Sequence, residues 1–456
     1  MLKDKVKKAL KIEEIEKIEL ENQRLEKKIE TIHEQINKKT EFFCGVVAQN
    51  GERLLNDILF REYLFREYLS REYLLLKDKP NILICGFYGA RNFGDELMLR
   101  SVLKYFEKKG IRTTILLSDN YDLDASIYAP HDVIHFPKHS SDILALINNF
   151  NVVIWGGGAH LDDHEYVFKS GKPCLAYILN TVSKGIIKNG GKVVVLGVSS
   201  NKKLEDPRYL RDLQYIIDGS KYFSLRDTNS FNTLKKAGIE VNGIRLIDDL
   251  ALYELSGLVG KEKSADAETL VIGLVCILTE HTREIIGEYI IRMIEHLESK
   301  NKKVHIELIP FYNYCDNDKK EFKKIMEVYS FNKDVVELKD YMEEIDDLVE
   351  VIHGCDLIIS MRYHATLVAS VLGIRTLSLD YSTIHRHYYN KTSYIKEKYN
   401  KMLLRCDFGS DARTFLKYVD ELLEQDNKES DAKNLEDIRK SLASELDIAL
   451  GDLKNN

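Results

Sequence analysis

The chain has 456 residues, 44% of them hydrophobic and 30% charged, with a formal net charge of −7. That length exceeds one ordinary domain and suits two domains with extensions. The composition excludes a disordered or fibrous chain, and the negative balance argues against nucleic acid as a partner while permitting a local basic pocket for a small anion.

In chain order, the first segment carries Ile15, Ile18, Asn22, Leu25, Ile29, Ile32 and Ile36 at spacings of three and four. This is a heptad seam, and an asparagine at one a position favours a two-stranded register. Residues 1–41 therefore read as a parallel coil that makes a homodimer, the alternative being one helix packed on its own body. Residues 42–79 hold a pentad repeat, Arg61-Glu62-Tyr63-Leu64, Arg66-Glu67-Tyr68-Leu69 and Arg71-Glu72-Tyr73-Leu74. A five-residue step walks around a helix, so the tyrosines line no single face. The segment reads as a helical connector, or else as an adhesive Tyr/Leu surface.

From Pro80 onward, short apolar runs alternate with helical patterns, the signature of a doubly wound parallel sheet. Strands are predicted at Ile82–Cys85, Thr113–Leu117, Val152–Trp155, Val193–Leu196 and Tyr222–Leu225, giving a domain over 80–260. The polar stretch Gly260–Glu268 reads as a linker. A second set, Leu270–Ile277, Val304–Ile309, Val335–Leu338, Leu357–Ser360 and Thr376–Leu379, gives a domain over 269–409, and 410–456 is predicted as a charged helical tail. The seven cysteines stand singly, with no metal-ligand or redox spacing. Together with a charged N-terminus that has no signal-peptide core, and no apolar run long enough to span a membrane, they predict a cytoplasmic protein without a metal.

Ligands of open α/β sheets bind beyond the carboxyl ends of the strands, so the turns there are the candidates. The first strand leads to Gly86, Gly89 and Gly94, and then to a helical pattern with Leu97, Met98, Val102, Leu103 and Phe106 on one face. A glycine-rich turn into a helix N-terminus can bind an anion. The spacing meets neither the dinucleotide fingerprint nor the phosphate loop of nucleotide triphosphatases, and a tight turn without a ligand is the alternative. Gly156-Gly157-Gly158 follows the strand ending at Trp155, in a form that admits a ligand close to the backbone. Asp227 is a predicted N-cap, which leaves the Arg226 cation beside a helix N-terminus and in need of an anion, either a ligand or a local partner such as Asp227. Asp248 and Asp249 read as caps or ion-pair members. Arg362 and His364 share one strand-to-helix turn, where Arg offers bidentate anion contacts and His a proton near neutral pH. Tyr381 and His385 follow the next strand. Asp119, after the second strand, is placed as a ribose ligand would be.

Taken in order, Gly86-Phe87-Tyr88-Gly89 with Asn92-Phe93-Gly94-Asp95-Glu96, then Gly156-Gly157-Gly158, Ser224-Leu225-Arg226-Asp227 and Met361-Arg362-Tyr363-His364-Ala365 resemble the polysaccharide pyruvyl transferase family, over about residues 80–410. The resemblance implies an α/β fold of two Rossmann-like doubly wound domains facing a cleft, similar to the GT-B architecture, here behind an N-terminal helical, coiled-coil extension. It implies phosphoenolpyruvate as donor substrate, no further cofactor, and a sugar or glycan acceptor, free or lipid-linked, handled in the cytoplasm or at the inner face of the membrane. The product would be a pyruvate ketal. Arg226 and Arg362 would clamp the donor and His364 would be the general acid. Gly89, Asn92, Asp95, Gly156, Gly157, Gly158, Tyr363, Tyr381 and His385 would line the substrate cleft. The chain departs from the family's Tyr-x-x-Lys element, because Tyr381 is followed by Ser382, Thr383 and Ile384 and the lysine is absent. A nucleotide-sugar glycosyltransferase and a non-catalytic, metabolite-binding scaffold are the alternatives.

Overall fold

A computed structural model describes residues 81–118, 125–163, 168–169, 172–200, 202–255, 268–313, 317–342, 344–381, 392–399, 403–425, 432–451 and 453. The coil, the pentad repeat, Asp119, His385 and nearly all of the linker lie outside them.

The first domain runs β1 (Ile82–Tyr88), α1 (Phe93–Lys109), β2 (Thr114–Leu117), β3 (Asp132–His135), α2 (Ser140–Asn149), β4 (Val152–Trp155), β5 (Gly158–Leu161), the hairpin β6 (Phe168–Lys169) and β7 (Lys172–Pro173), α3 (Leu175–Lys188), β8 (Lys192–Ser200), α4 (Pro207–Gly219), β9 (Tyr222–Leu225), α5 (Thr228–Lys236), β10 (Arg245–Leu246) and α6 (Ala251–Leu255). Its strands are ordered β10-β9-β8-β4-β1-β2-β3, with β5 beside β8. The second domain runs β11 (Thr269–Val275), α7 (Glu280–Ser299), β12 (Lys303–Leu308), α8 (Asp318–Tyr329), β13 (Val336–Leu338), α9 (Ile345–Gly354), β14 (Leu357–Ser360), α10 (Tyr363–Val371), β15 (Arg375–Asp380), α11 (Thr392–Lys398), β16 (Leu403–Asp407) and α12 (Ala412–Leu423), ordered β13-β12-β11-β14-β15-β16. Each main sheet is parallel and doubly wound. The order reverses at β1/β4 in one and at β11/β14 in the other, and ligands of such sheets bind at these switch points.

Burial explains the elements. On β1, Leu83, Ile84 and Cys85 are fully buried, and Leu97, Met98, Val102, Leu103 and Phe106 form the buried face of α1, as their spacing predicted. The strand does not stop at Cys85. It continues through Gly86 to Tyr88, and the Tyr88 ring occupies the space beside Gly86, 2.4 Å from where a Cβ would stand. Asp132–His135, Gly158–Leu161 and Leu403–Asp407 are strands that short, polar-flanked runs do not announce.

The last segment is helical but does not hang free. In α12, Phe415 stacks on Tyr289 of α7 at 4.2 Å. The final helix α13 (Ala432–Leu450) returns to the first domain, where Tyr222 Oη and Arg245 Nη2 donate to Glu445 (2.7 and 2.6 Å) and Tyr105 Oη donates to Asp447 (2.6 Å). Among the described residues no helix is long and apolar enough to cross a membrane.

The two domains are stitched together where α1 begins. Phe93 N–H donates to Phe311 O (3.1 Å), Asn313 N–H donates to Arg91 O (3.2 Å), and the Phe93 and Phe311 rings pack edge to face at 4.8 Å. The start of α1 is thereby held against the loop after β12.

Candidate functional site

A cavity of about 190 Å³ lies at this junction. It brings together Asn92, Asp95, Gly158, Arg226, Arg362, Tyr363, His364 and Tyr381, all predicted from sequence, with Ala159, Ile277, Phe311 and Met361 completing its wall. Asn92, Arg226, Ile277, Phe311, Met361 and Tyr381 follow β1, β9, β11, β12, β14 and β15, while Gly158 and Ala159 open β5, so the carboxyl edges of both sheets supply most of it.

The cations are not free-standing. Arg226, which follows β9 and is 2% exposed, donates from Nη1 to Asp249 Oδ2 at 2.8 Å, and Asp249 is 1% exposed. The guanidinium also lies 4.4 Å from the Tyr363 ring centroid, within cation–π range. The anion that Arg226 needs is therefore Asp249. Asp227 instead caps α5, accepting from Ser230 N at 2.7 Å. Arg362, the N-cap residue of α10, donates from Nη2 to Asp318 Oδ1 at 2.5 Å. Asp249, read from sequence as a cap or ion-pair member, is the partner of Arg226, whereas the sequence reading does not name Asp318. A buried Asp at the start of a helix in the second domain was the only signal available for the latter.

Two guanidinium groups in the wall keep unused donors. Arg226 Nε and Arg362 Nε are buried with no hydrogen-bond acceptor among the described residues. A buried donor left unpaired costs free energy, and both arginines belong to the wall of the cavity.

His364 lies between these groups, its Nε2 3.2 Å from Arg226 Nη1 and 3.6 Å from Asp249 Oδ2. Arginine cannot accept a hydrogen bond, so Nε2 accepts from Arg226 when the ring is neutral. A protonated ring has the Asp249 carboxylate beside it. Burial works against the Asp249 charge, but Arg226 and His364 outweigh it and hold its pKa below the ordinary carboxylate range. Burial likewise opposes the Arg226 charge, and Asp249 reverses that effect.

The glycines play a different part from the one their spacing suggests. A Cβ on Gly94 would lie 1.8 Å from His364 Nδ1, one on Gly156 would lie 1.6 Å from Tyr88 Oη, and one on Gly157 would lie 2.5 Å from Met98 Sδ. These three admit protein side chains. Gly158 (φ 141°) does face the cavity. Gly89 (φ 74°) does not line it, and its N–H donates to Glu96 Oε1 at 2.7 Å. The start of α1 is not an open anion site either. Phe93 N–H is taken by Phe311 O, Gly94 N–H by Asn92 Oδ1 (3.3 Å), and Asp95 N–H by Asn92 O (3.0 Å). Asn92 thus spends its side chain as the cap.

Among the described residues, His305, Glu307 and Glu337 are grouped closely enough to hold a metal ion. They lie on β12 and β13, and Lys339 Nζ bonds both glutamates at 2.9 and 2.7 Å, filling a cation's place.

A family model described as polysaccharide pyruvyl transferase matches residues 92–383. No curated protein matches the chain. Among solved structures, the UDP-GlcNAc 2-epimerase from Methanocaldococcus jannaschii is 13% identical, covers 80% of this chain and 99% of its own, and has a TM-score of 0.51. A putative UDP-N-acetylglucosamine 2-epimerase from Listeria monocytogenes is 11% identical, with 81% and 96% covered and a TM-score of 0.53. At these identities the likeness concerns the fold, which is GT-B-like.

Proposed function

The chain belongs to the polysaccharide pyruvyl transferase family, and on that basis we propose that it transfers the pyruvyl group of phosphoenolpyruvate to two hydroxyls of a sugar, forming a pyruvate ketal and releasing phosphate. The observation that carries this reading is the convergence of Arg226, Arg362 and His364 in one small cavity. Phosphoenolpyruvate is a small trianion with a carboxylate and a phosphate, and each arginine takes one of them. Asp249 and Asp318 temper the affinity, keeping the guanidinium planes fixed while each retains a donor for the ligand.

In this scheme protonated His364 gives its proton to C3, using the electron pair of the enol double bond. The cationic C2 is stabilised by the carboxylate and phosphate held on the arginines. A sugar hydroxyl attacks C2 and its proton returns to His364. The C2–O bond to phosphate then breaks, the pair leaving with phosphate, and a second hydroxyl closes the ketal. Its proton goes to the phosphate, so one trianion becomes a ketal carboxylate and a hydrogen phosphate dianion.

The test is phosphate release from phosphoenolpyruvate with a panel of sugar acceptors. Wild type should release phosphate only with an acceptor present. His364→Gln should lose about 10²–10⁴-fold in kcat while still binding donor. Failure of the wild type to bind phosphoenolpyruvate, together with binding of a nucleoside diphosphate, would replace this reading with that of a nucleotide-sugar transferase.

A further inference from the structure

The cavity that holds Arg226 and His364 is small. At about 190 Å³ it falls below the roughly 300–1,000 Å³ usual for ligand pockets, and a donor fills it. A second cavity of about 350 Å³ adjoins it and shares Asp95 and Ala159 with it. This second cavity lies wholly on the first domain, at the ends of β1, β3 and β5. Its wall includes the half-buried rings of Phe87 and Phe136, the carboxylate of Asp162, and His160. His160 is held by an Nε2–H bond to Gly157 O at 3.0 Å.

That chemistry suits a hydroxylated ring. Carboxylates accept from hydroxyls, and flat aromatic faces cover the C–H side of a pyranose. The charge is equally selective. Among the described residues no lysine or arginine lines the cavity, and the neighbouring Lys202 pairs with Asp162 at 3.3 Å. A carboxylated or phosphorylated ring would bring its charge against Asp95, while Lys202 is already paired with Asp162.

We propose that this cavity is the acceptor subsite, that it takes an uncharged hexopyranose, and that Asp95, on the wall common to both cavities, accepts a hydrogen bond from the attacking hydroxyl and so sets which hydroxyl faces C2. The assignment rests on the transferase reading above, and its experiment separates the two. Saturation-transfer NMR is run on the full chain with methyl glucoside, galactoside and mannoside and with the matching methyl uronides, and phosphoenolpyruvate binding is measured by calorimetry. Leu175→Trp fills the cavity from its wall and Phe136→Ala removes a face. Both should raise the acceptor KM about tenfold or more and erase the hexoside signal, with the thermal midpoint retained and donor affinity unchanged within about twofold. Asp95→Asn should lower kcat more than it changes hexoside binding. Hexoside binding that persists in both folded variants, uronides that bind as well as neutral rings, or no hexoside binding to wild type would overturn the proposal. Hexoside binding that is lost in the variants of a protein that never binds phosphoenolpyruvate would keep the subsite and sink the donor reading.

Discussion

Replacing Arg226 with methionine tests the site's central physical claim, that a fully buried ion pair holds His364 in place. Arg226 and Asp249 are 2% and 1% exposed and 2.8 Å apart. At an effective dielectric near 20 their gross attraction is about 6 kcal/mol, most of it offset by desolvation. Removing the cation alone strands a buried carboxylate, with an expected cost of about 3–5 kcal/mol. For a domain of this size that is roughly 6–20 °C in apparent Tm. The sign with pH follows from linkage. In the wild type the Asp249 pKa is held down, so its contribution is present above the ordinary Asp value of about 4 and is lost as pH falls further. In Arg226→Met the largest opposing interaction is gone, and burial, still opposed by His364 and the Ala251 N–H, moves the Asp249 pKa upward. The variant's deficit is then largest at neutral pH and shrinks as the carboxylate protonates on acidification toward about pH 4. The double variant Arg226→Met/Asp249→Leu should regain most of the stability while remaining inactive. Thermal and urea unfolding from pH 7 to pH 4 decide it. A deficit below about 1 kcal/mol at pH 7, or one that does not change with pH, would refute the reasoning.

Other consequences can be checked in the same preparations. Gly94→Ala places a methyl where His364 Nδ1 stands, 1.8 Å from an ideal Cβ. It should cost roughly 10–100-fold in kcat with little change in Tm, and an unchanged rate would show that the imidazole position is immaterial. Arg362→Lys keeps a charge but loses the planar fork, and donor affinity should drop about tenfold or more by calorimetry. Burial pushes the Glu96 carboxyl up to about 7, against opposing hydrogen bonds from Gly89 N–H and Tyr128. The stability this raised pKa contributes is fully present below about 4.5 and lost as pH rises through 7, so Glu96→Gln should flatten the fall in Tm between pH 5 and pH 8. Deleting residues 432–456 removes the buried Leu435, Leu442, Leu446 and Leu450, exposes the apolar surface they cover, and takes away the Glu445 partner of Tyr222 and Arg245. The truncated chain should lose Tm and gain protease sensitivity, and a stable, monodisperse product would contradict the packing of α13.

Much of the fold was legible because its signals are local. A parallel strand buried on both faces needs a short apolar run, and Val152–Trp155, Tyr222–Leu225 and Leu357–Ser360 form strands within the limits their composition predicts. A helix buried on one side needs a 3.6-residue period, which α1 displays. Residues that follow a strand in such a sheet arrive at one edge, and for that reason Arg226, Arg362, His364, Tyr363 and Asp95 could be named as a group. Tyr381 joined them on the same ground.

Partners across long separations were not legible. Asp249 lies 23 residues beyond Arg226, and Asp318 lies 44 before Arg362. Nothing local marks either as the counterion, because the pairing depends on which loops two separate sheets bring together. The glycines make the same point. Their spacing announced an absence of side chains, but only the packed structure decides what fills the space, and at Gly86 and Gly156 it is Tyr88, at Gly157 Met98 and at Gly94 His364. The sequence by itself therefore determined two doubly wound sheets and the edge where chemistry gathers, since hydrophobic periodicity and strand ends are properties of neighbouring residues. The tertiary structure alone decided which charges are neutralised, which donors stay unpaired and where the second cavity opens, since burial and electrostatics act between residues far apart in the chain.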